Sequence, residues 1–463
     1  MTRGATRRAR PIGRRVSRRP AVAVVALLSL LLGGASLRAV RAGGSPIEHV
    51  VIIYMENHSF DNVLARLCVR DRRCDGALSG ETSDGTIVPL RRADDIVPGM
   101  SHGVETQQTI INGGGMNGWD LIKGCAPDTG YSCYQGFYPE QIPTLSALAR
   151  AYVISDRTFQ MDPIPTFGAH LELVAAQLAG FKGEHPESSP SEQQHPDEVQ
   201  AKGWGCDSNR FAPWAAAPGD PYVWPPACVP APDGSGPVTD SPVRWVPTIM
   251  NRMDQAGLSW KIYAPQEQDE GYIWATCPYF SECLNGPQRE NYLPYQDFAP
   301  AAGAGDLPNL SILLPDMDVS QHNHMSMLVG DNWLAEQVNA IMSGPDWEST
   351  AVFITYDDCG CFYDHVAPPP GLGLRVPMVI VSPYAKPRFT DSTQASYASM
   401  LAFTEHNFGL EPLWISDATA YDYANSFDYS QKPLGSIELR TRPVPARVTE
   451  WVRDHPSDPD DPT

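Results

Sequence analysis

Residues 49–61 read HVVIIYMENHSFD, and the first six of them set a pattern that the chain repeats. They are mostly apolar and β-branched, which is typical of a strand buried on both faces of a sheet. Similar runs follow at residues 258–263, 310–314, 351–356 and 376–381. Helical patterns lie between them at residues 145–152, 167–179, 333–342 and 397–408. This alternation predicts an α/β fold whose sheet is covered on both sides.

Two of these predicted strands end in metal-type ligands. Glu56 and Asn57 follow the first strand, and Asp357 and Asp358 follow the strand at 351–356. Because the carboxyl ends of parallel strands share one crevice, these side chains should converge. Adjacent carboxylates repel each other and are costly to bury unless a cation lies between them. The pattern predicts one divalent metal ion bound by oxygen ligands, of unknown identity. The alternative is that each cluster is a solvated loop.

The amino terminus predicts export. The first 42 residues contain ten Arg and no acidic residue, and they run through an apolar stretch at 21–32 to Ala42. This order is typical of a signal peptide cleaved near Ala42. The apolar run is shorter than the ~20 residues of a membrane span, which makes an anchor the weaker interpretation. Ser17-Arg18-Arg19 is a weak twin-arginine signal. We expect a secreted or periplasmic protein with no stable membrane anchor after cleavage.

The chain is strongly acidic. It has 34 basic and 54 acidic residues, a net charge of −20; without the signal, 24 basic residues remain and the net charge is −30. Such a surface argues against nucleic acid and anionic membranes as partners. A phosphate-bearing substrate stays compatible with it, because a metal ion reverses the field locally.

The ten cysteines fall in close pairs, which in an exported chain predicts local disulfides. The pairs are Cys68/Cys74, Cys125/Cys133, Cys206/Cys228, Cys277/Cys283 and Cys359/Cys361. We expect one domain at residues 43–450 and a disordered acidic tail at 451–463. A Pro-, Gly- and Trp-rich insertion at 181–246 is either a cap over the site or a surface excursion.

Several motifs together resemble one family. They are ENHSFD at 56–61, YDDCGCFYDHV at 356–366, His102 with NGGGMNG at 112–118, and GDNWL at 330–334. They are similar to signatures of the phosphoesterase family of bacterial and plant phospholipases C and bacterial acid phosphatases, and the match runs from about 47 to 409. The resemblance implies a three-layer α/β/α sandwich like alkaline phosphatase. It also implies that Glu56, Asn57, Asp357 and Asp358 are metal ligands.

The resemblance further implies a nucleophile and two histidine roles. The segment at 162–170 is similar to the family's nucleophile segment and puts Thr166 in that role, although an ordinary helix cap is the alternative. A hydroxyl at a helix start, next to a metal ion, is well placed to attack a phosphate. His322 matches a family histidine near the phosphate and would protonate the leaving alkoxide, and His102 would bind a phosphate oxygen. His324 and His365 are expected either to contact the ligands from behind or to pack.

Two departures from the family pattern concern the site. Gly168-Ala169 stand where the family has Pro-Asn, and Cys359 and Cys361 flank Gly360 after the aspartate pair. These cysteines form either a strained disulfide or two free thiols beside the metal.

The sequence therefore predicts an exported, metal-dependent phosphoester hydrolase with a phospho-threonine intermediate. Its substrate would be a phosphomonoester or a phospholipid head group, and the threonine favours the phospholipases C. Four aromatic residues of the insertion form either a choline cage or a satellite core: Trp204, Trp214, Tyr222 and Trp224. The alternative function is a non-catalytic exported binding protein that keeps the fold and the metal. A sulfatase would need Cys or Ser at position 166.

Overall fold

The computed structural model describes residues 44–188, 203–237 and 241–455. The predicted export signal lies outside these ranges, as do residues 456–463 of the predicted tail. Within the described ranges, no helix has both the length and the apolar character needed to cross a bilayer.

One eight-stranded sheet forms the centre of the chain. Its strands are β1 (His49–Met55), β2 (Val153–Ser155), β3 (Trp260–Ala264), β4 (Tyr292–Pro294), β5 (Leu310–Leu313), β6 (Thr350–Tyr356), β7 (Met378–Val381) and β8 (Thr390–Asp391). They lie in the order β4-β3-β5-β1-β6-β7-β2-β8. The five predicted strands all belong to this sheet, with ends shifted by at most two residues. The three unpredicted strands, β2, β4 and β8, are too short to show a periodic pattern.

The strands around the centre of the sheet run parallel. β1 pairs in parallel with both β5 and β6, and β3 pairs in parallel with β5. β7 opposes its neighbours, since it pairs antiparallel with β6 and β2. The carboxyl ends of β1, β3, β5 and β6 therefore meet at one edge of the sheet.

Helices cover both faces of the sheet. They are α1 (Phe60–Asp71), α2 (Val104–Ile111), α3 (Pro143–Ala151), α4 (Thr166–Ala175), α5 (Ile249–Ala256), α6 (Ser281–Asn285), α7 (Phe298–Ala304), α8 (Met327–Ser343), α9 (Tyr397–Phe408), α10 (Ile415–Ala418) and α11 (Ala446–Asp454). Tyr54 of β1 packs edge-on against Tyr397 of α9. On the other face, Gln321 joins the hydroxyl of Tyr356 to the start of α8. The predicted three-layer α/β/α sandwich is confirmed.

Two predicted boundaries are wrong. The helix predicted at 167–179 ends at Ala175, because Ala176 adopts a left-handed conformation (φ 54°) and its carbonyl accepts a hydrogen bond from Ser416 Oγ at 2.7 Å. Residues 451–454, which the sequence assigns to the tail, continue α11. This helix is held by the indole of Trp451, whose Nε1 donates to the carbonyl of His324 at 3.0 Å.

The insertion at 181–246 is ordered where the structure describes it. Its short strands Glu187–Ser188 and Arg210–Phe211 pair antiparallel, and Cys206 bonds to Cys228. Further short pairs elsewhere join Ser79–Glu81 to Ile87–Pro89, Arg91–Arg92 to Gln135–Gly136, and Thr158–Phe159 to Ala395–Ser396. The insertion also reaches the start of α4, where the Gly168 N–H donates to the Gly183 carbonyl at 3.2 Å.

All ten cysteines form the local disulfides that the sequence predicts. The alternative left open for Cys359 and Cys361 is thereby decided, because these two residues are bonded to each other. This bridge lies in the loop that follows β6.

A buried arginine joins the loops that follow β1 and β6. The guanidinium of Arg375 donates to Asp61 at 3.1 Å and to Asp364 at 3.0–3.2 Å, and all three side chains are fully buried. His365 extends the network, with Nδ1 2.5 Å from Asp61 and Nε2 3.1 Å from Asp75. The guanidinium compensates the charge of both buried carboxylates and fills their hydrogen bonds. Arg375 also lies 4.1 Å above the ring of Phe60.

Replacement of this arginine tests its structural role. We expect Arg375→Met to lower the free energy of unfolding by about 3–5 kcal/mol, because two buried carboxyl groups lose their partner. Urea unfolding followed by circular dichroism measures the change. The control is Arg440→Met, since Arg440 pairs with Glu438 on the surface and both side chains are about four-fifths exposed (83% and 78%). Equal urea midpoints for the two variants would contradict the assignment.

Candidate active site

The register between β1 and β6 brings the two predicted ligand pairs together. Met55 pairs with Tyr356, and the backbone N–H of Asp357 donates to the Met55 carbonyl at 3.0 Å. Glu56 and Asp357 are therefore neighbours at the edge of the sheet. Asn57 then turns the chain with a positive φ of 61°, and its N–H donates to Asp357 Oδ1 at 2.9 Å.

The loop after β6 packs directly on the loop after β1. Gly360 has a positive φ of 48°, and a Cβ atom at this position would lie 1.9 Å from the Asn57 carbonyl oxygen. Only glycine permits this approach. The Gly360 N–H also donates to Asp358 Oδ1 at 2.6 Å. The Cys359–Cys361 disulfide closes the same turn, which fixes the position of Asp358.

The three carboxyl groups of this site are fully buried, and burial raises the pKa of each. Burial and the nearby Asp357 raise the pKa of Glu56 well above its usual range. Burial and the neighbouring Asp358 raise the pKa of Asp357 to about 7. Burial raises the pKa of Asp358 to about 7, against the hydrogen bond from Gly360. Glu56 Oε2 and Asp358 Oδ2 have no hydrogen-bond partner among the described residues.

The side chain of Asn57 completes an oxygen-rich cluster. One amide atom lies 3.0 Å from Asp357 Oδ1 and 3.2 Å from Asp358 Oδ1, and the other lies 2.8 Å from His322 Nε2. In the orientation that satisfies both neighbours, the amide nitrogen donates to Asp357 and Asp358, and the amide oxygen accepts from Nε2 of His322. The Nδ1 atom of the same imidazole lies 2.9 Å from the Asn323 carbonyl. A cation between the aspartates would draw the amide oxygen toward itself instead.

Thr166 lies at the first position of α4, next to this cluster. The residue before it, Pro165, offers no side-chain cap to the helix, which leaves the positive end of the helix dipole open to an anion. The Thr166 hydroxyl is close enough to Glu56 and Asp357 to lower the pKa of both carboxyl groups. Its Oγ1 makes no hydrogen bond of good geometry, so it is available to another ligand. Thr166 is therefore not the residue that caps α4, because the N-cap position is occupied by Pro165.

The two histidines predicted from the sequence border the carboxylates. His102 Nδ1 donates to the Met100 carbonyl at 2.8 Å, and its Nε2 lies 3.7 Å from Asp358 Oδ2. His322 contacts Asn57 and stacks on Trp274, with ring centroids 5.7 Å apart. His324 and His365 lie in other networks. The carbonyl of His324 accepts from Trp451, and the ring of His365 binds Asp61.

Two further histidines were missed by the sequence reasoning. His170 Nε2 lies 3.2 Å from Glu56 Oε1, and its Nδ1 lies 3.0 Å from Thr276 Oγ1. It follows Thr166 by one helical turn, and that spacing is the signal that could have found it. Burial lowers the pKa of His170 to about 3, so the ring is neutral. His185 of the insertion packs edge-on against His102 at 5.8 Å, and no periodic pattern marks it.

The residues at this edge fit a divalent metal ion. Ligand atoms of Glu56, His170 and Asp357 lie within 4.8 Å of one another, and the unpartnered carboxylate oxygens lie beside them. Carboxylate, amide and neutral imidazole donors suit a hard or borderline cation. The second group of this composition, Asp61 with Asp364 and His365, already holds the charge of Arg375.

The four aromatic residues named as a cage have different surroundings. Trp204 is buried and stacks on His185 at 4.4 Å, and Trp214 donates from Nε1 to the Ala179 carbonyl at 2.9 Å. Tyr222 and Trp224 are 45% and 57% exposed. Neither alternative, a choline cage or a satellite core, describes all four residues, because two of the rings are used in packing and two face solvent.

The chain belongs to the phosphoesterase family. The family model matches residues 47–411, which include every strand of the central sheet and all the residues of the site described above. The family resemblance is confirmed. The enzyme class that it implied, a phosphoric ester hydrolase, is confirmed at the level of the family.

Curated relatives carry phospholipase C names. Non-specific phospholipase C1 of Arabidopsis thaliana is 24% identical over 473 residues, which cover 87% of this chain and 76% of that protein. Non-hemolytic phospholipase C of Burkholderia pseudomallei is 29% identical over 437 residues, which cover 78% of this chain and 55% of that protein. The match to phospholipase C A of Mycobacterium tuberculosis covers 42% of this chain and 45% of that protein, at 26% identity. This chain thus spans between about half and three quarters of the length of these relatives.

Among solved structures, human ectonucleotide pyrophosphatase/phosphodiesterase 5 is similar at 9% identity and a TM-score of 0.35, over 62% of this chain and 94% of that chain. A protein in the alkaline phosphatase superfamily from Vibrio parahaemolyticus is similar at 10% identity and a TM-score of 0.34, over 77% of this chain and 76% of that chain.

Metal binding at this site should depend on pH. A cation must displace the protons of Asp357 and Asp358, whose pKa values are about 7, so affinity should rise as pH increases and level off above 7. We expect Mn²⁺ to bind at least about tenfold more tightly at about pH 8 than at about pH 6. Titration calorimetry in two buffers measures both affinity and proton release. An affinity independent of pH would exclude these carboxyl groups as ligands, and Asp358→Asn should reduce the proton release.

Proposed function

We propose that this protein is an exported, metal-dependent phosphoester hydrolase with Thr166 as its nucleophile. The observation that carries the proposal is the Thr166 hydroxyl, which lies at an uncapped helix start beside the carboxyl groups of Glu56 and Asp357. A phosphoryl group near this hydroxyl would meet the backbone N–H groups of α4 on one side. The histidines His102 and His322 would lie around it.

The ligands proposed for the metal are Glu56, Asn57, Asp357 and Asp358, joined by His170. A divalent cation held by these residues would lower the pKa of the Thr166 hydroxyl and offset the charge of the phosphoryl oxygens. Asn57 would turn its amide oxygen from Nε2 of His322, which lies 2.8 Å away, to the cation. This rotation would free the Nε2 proton of His322 for the reaction.

The reaction would proceed by two displacements. The Thr166 hydroxyl releases its proton to solvent as its oxygen bonds to phosphorus, the bond from phosphorus to the leaving alcohol breaks, and the alcohol oxygen takes the Nε2 proton of His322. Water then gives a proton back to His322 as its oxygen bonds to phosphorus. The departing Thr166 oxygen takes up a proton from solvent, which restores the hydroxyl. Protonated His102 would donate to a phosphoryl oxygen through Nε2, while its Nδ1–H stays bound to the Met100 carbonyl.

The substrate that we favour is a phospholipid whose head group carries the phosphate. The relatives named phospholipase C support this choice over a phosphomonoester. Equal turnover of p-nitrophenyl phosphate and p-nitrophenyl phosphorylcholine would remove the preference for a phosphodiester.

The nucleophile has a direct test. We expect Thr166→Ala to lower hydrolysis of p-nitrophenyl phosphorylcholine by at least about a thousandfold, because the change removes the hydroxyl that would form the phospho-enzyme. Thr166→Ser keeps the hydroxyl and is the matched control, which should retain measurable turnover. Mass spectrometry of acid-quenched enzyme should find the phosphate on Thr166. Full activity in Thr166→Ala would end the assignment, and metal binding without turnover in the unaltered protein would favour a binding protein.

A further inference from the structure

An exposed hairpin of the insertion carries a feature that the catalytic proposal does not use. Trp214 and Val223 pair antiparallel through both of their backbone hydrogen bonds, at 2.8 Å and 2.9 Å, and Ala212 donates to the Pro225 carbonyl at 3.1 Å. The segment from 212 to 225 is therefore a hairpin held by its own backbone. Its returning arm comprises residues 222–225.

Three consecutive residues of this arm expose large apolar side chains. Tyr222 is 45% exposed, Val223 is 49% exposed and Trp224 is 57% exposed. In a paired strand alternate side chains normally face opposite sides, so one side chain of three usually finds cover. In this arm none of the three side chains is buried. Apolar side chains exposed along a strand that is fixed by its own pairing indicate a contact with another apolar phase.

The hairpin lines a cavity that borders the start of α4. Tyr222 and Trp224 line this cavity of about 630 Å³, whose wall also includes Pro165 and His185. Pro165 directly precedes the buried Thr166, and His185 packs against His102 at 5.8 Å. The cavity wall is thus one residue away from the proposed nucleophile.

The charges of the cavity select the kind of surface that fits. Glu105, Glu184 and Glu187 line it, and the ammonium of Lys182 lies 3.4 Å from Glu105 and 3.6 Å from Glu184. A surface with anionic head groups would be repelled by these carboxylates and by the net charge of the chain, −20. Tyr and Trp side chains prefer the interface between hydrocarbon and water, where ring and polar atom are both satisfied.

We infer that Tyr222, Val223 and Trp224 insert into the head-group region of a zwitterionic lipid surface and hold the cavity against it. The inference rests on the proposed function, because it names the form in which the substrate is presented. It makes the hairpin an interfacial element, and the reaction at Thr166 then draws phospholipid from the surface instead of from solution.

The test separates binding from turnover. Full-length Thr166→Ala protein is sedimented with phosphatidylcholine vesicles and with vesicles that also contain phosphatidylglycerol. We expect binding to phosphatidylcholine, weaker binding as phosphatidylglycerol is added, and an affinity reduced about tenfold or more by the triple change Tyr222→Ser, Val223→Ser and Trp224→Ser. In the active protein the same triple change should lower the ratio of vesicle hydrolysis to p-nitrophenyl phosphorylcholine hydrolysis at least about tenfold.

A matched control uses another exposed apolar pair. Trp414 and Ile415 are 54% and 68% exposed, and Trp414→Ser with Ile415→Ser should leave vesicle binding within about twofold of the parent. Vesicle binding unaffected by the hairpin change, or binding only to anionic vesicles, would overturn the inference. So would a dimer in solution that the hairpin change dissociates. Failure of the proposed function gives a different result, namely no Thr166-dependent turnover of the soluble ester while vesicle binding persists.

Discussion

Three buried carboxyl groups that face one another impose the main constraint on this molecule. The pairing of Met55 with Tyr356 forces Glu56 and Asp357 together, and the turn at Gly360 adds Asp358. His170, which contacts Glu56, is neutral because burial lowers its pKa to about 3, and it therefore supplies no positive charge. The charge balance of the site must come from protons or from a bound cation. Folding and ligand binding are thus coupled at the same few atoms.

The cluster around Arg375 shows the opposite solution to the same electrostatic problem. Asp61 and Asp364 are as deeply buried as the site carboxylates, but the chain itself supplies the cation that pairs with them. Asp61 lies at the start of α1, a few residues beyond Glu56, and Asp364 lies a few residues beyond Asp358. The internal ion pairs therefore hold these two segments together, while one oxygen of Glu56 and one of Asp358 stay unpaired a few residues earlier. One part of each segment provides structure and the other provides the candidate ligands.

Most of the central sheet could be predicted from the sequence, because five of its strands are long enough to show a buried apolar run. The convergence of Glu56 and Asp357 followed from the same runs, since parallel strands bring their carboxyl ends to one edge. The nucleophile role of Thr166 was predicted from the family resemblance. The spacing of one helical turn from Thr166 could also have suggested His170. His185 could not be predicted. Its place depends on the stack with Trp204 and on Glu184, whose carboxylate accepts from the first N–H of α2, and neither contact has a sequence pattern.

The five disulfides have a consequence for the biogenesis of the chain. Each joins cysteines between 2 and 22 positions apart, and none connects distant parts of the sheet. Every bridge can therefore close as soon as its own short segment has been released, in any order, without waiting for the carboxyl-terminal half. Correct partners are also the nearest ones, which limits scrambled pairings during oxidation. A protein cross-linked in this way needs an oxidant after its release but little help from an enzyme that reshuffles disulfides.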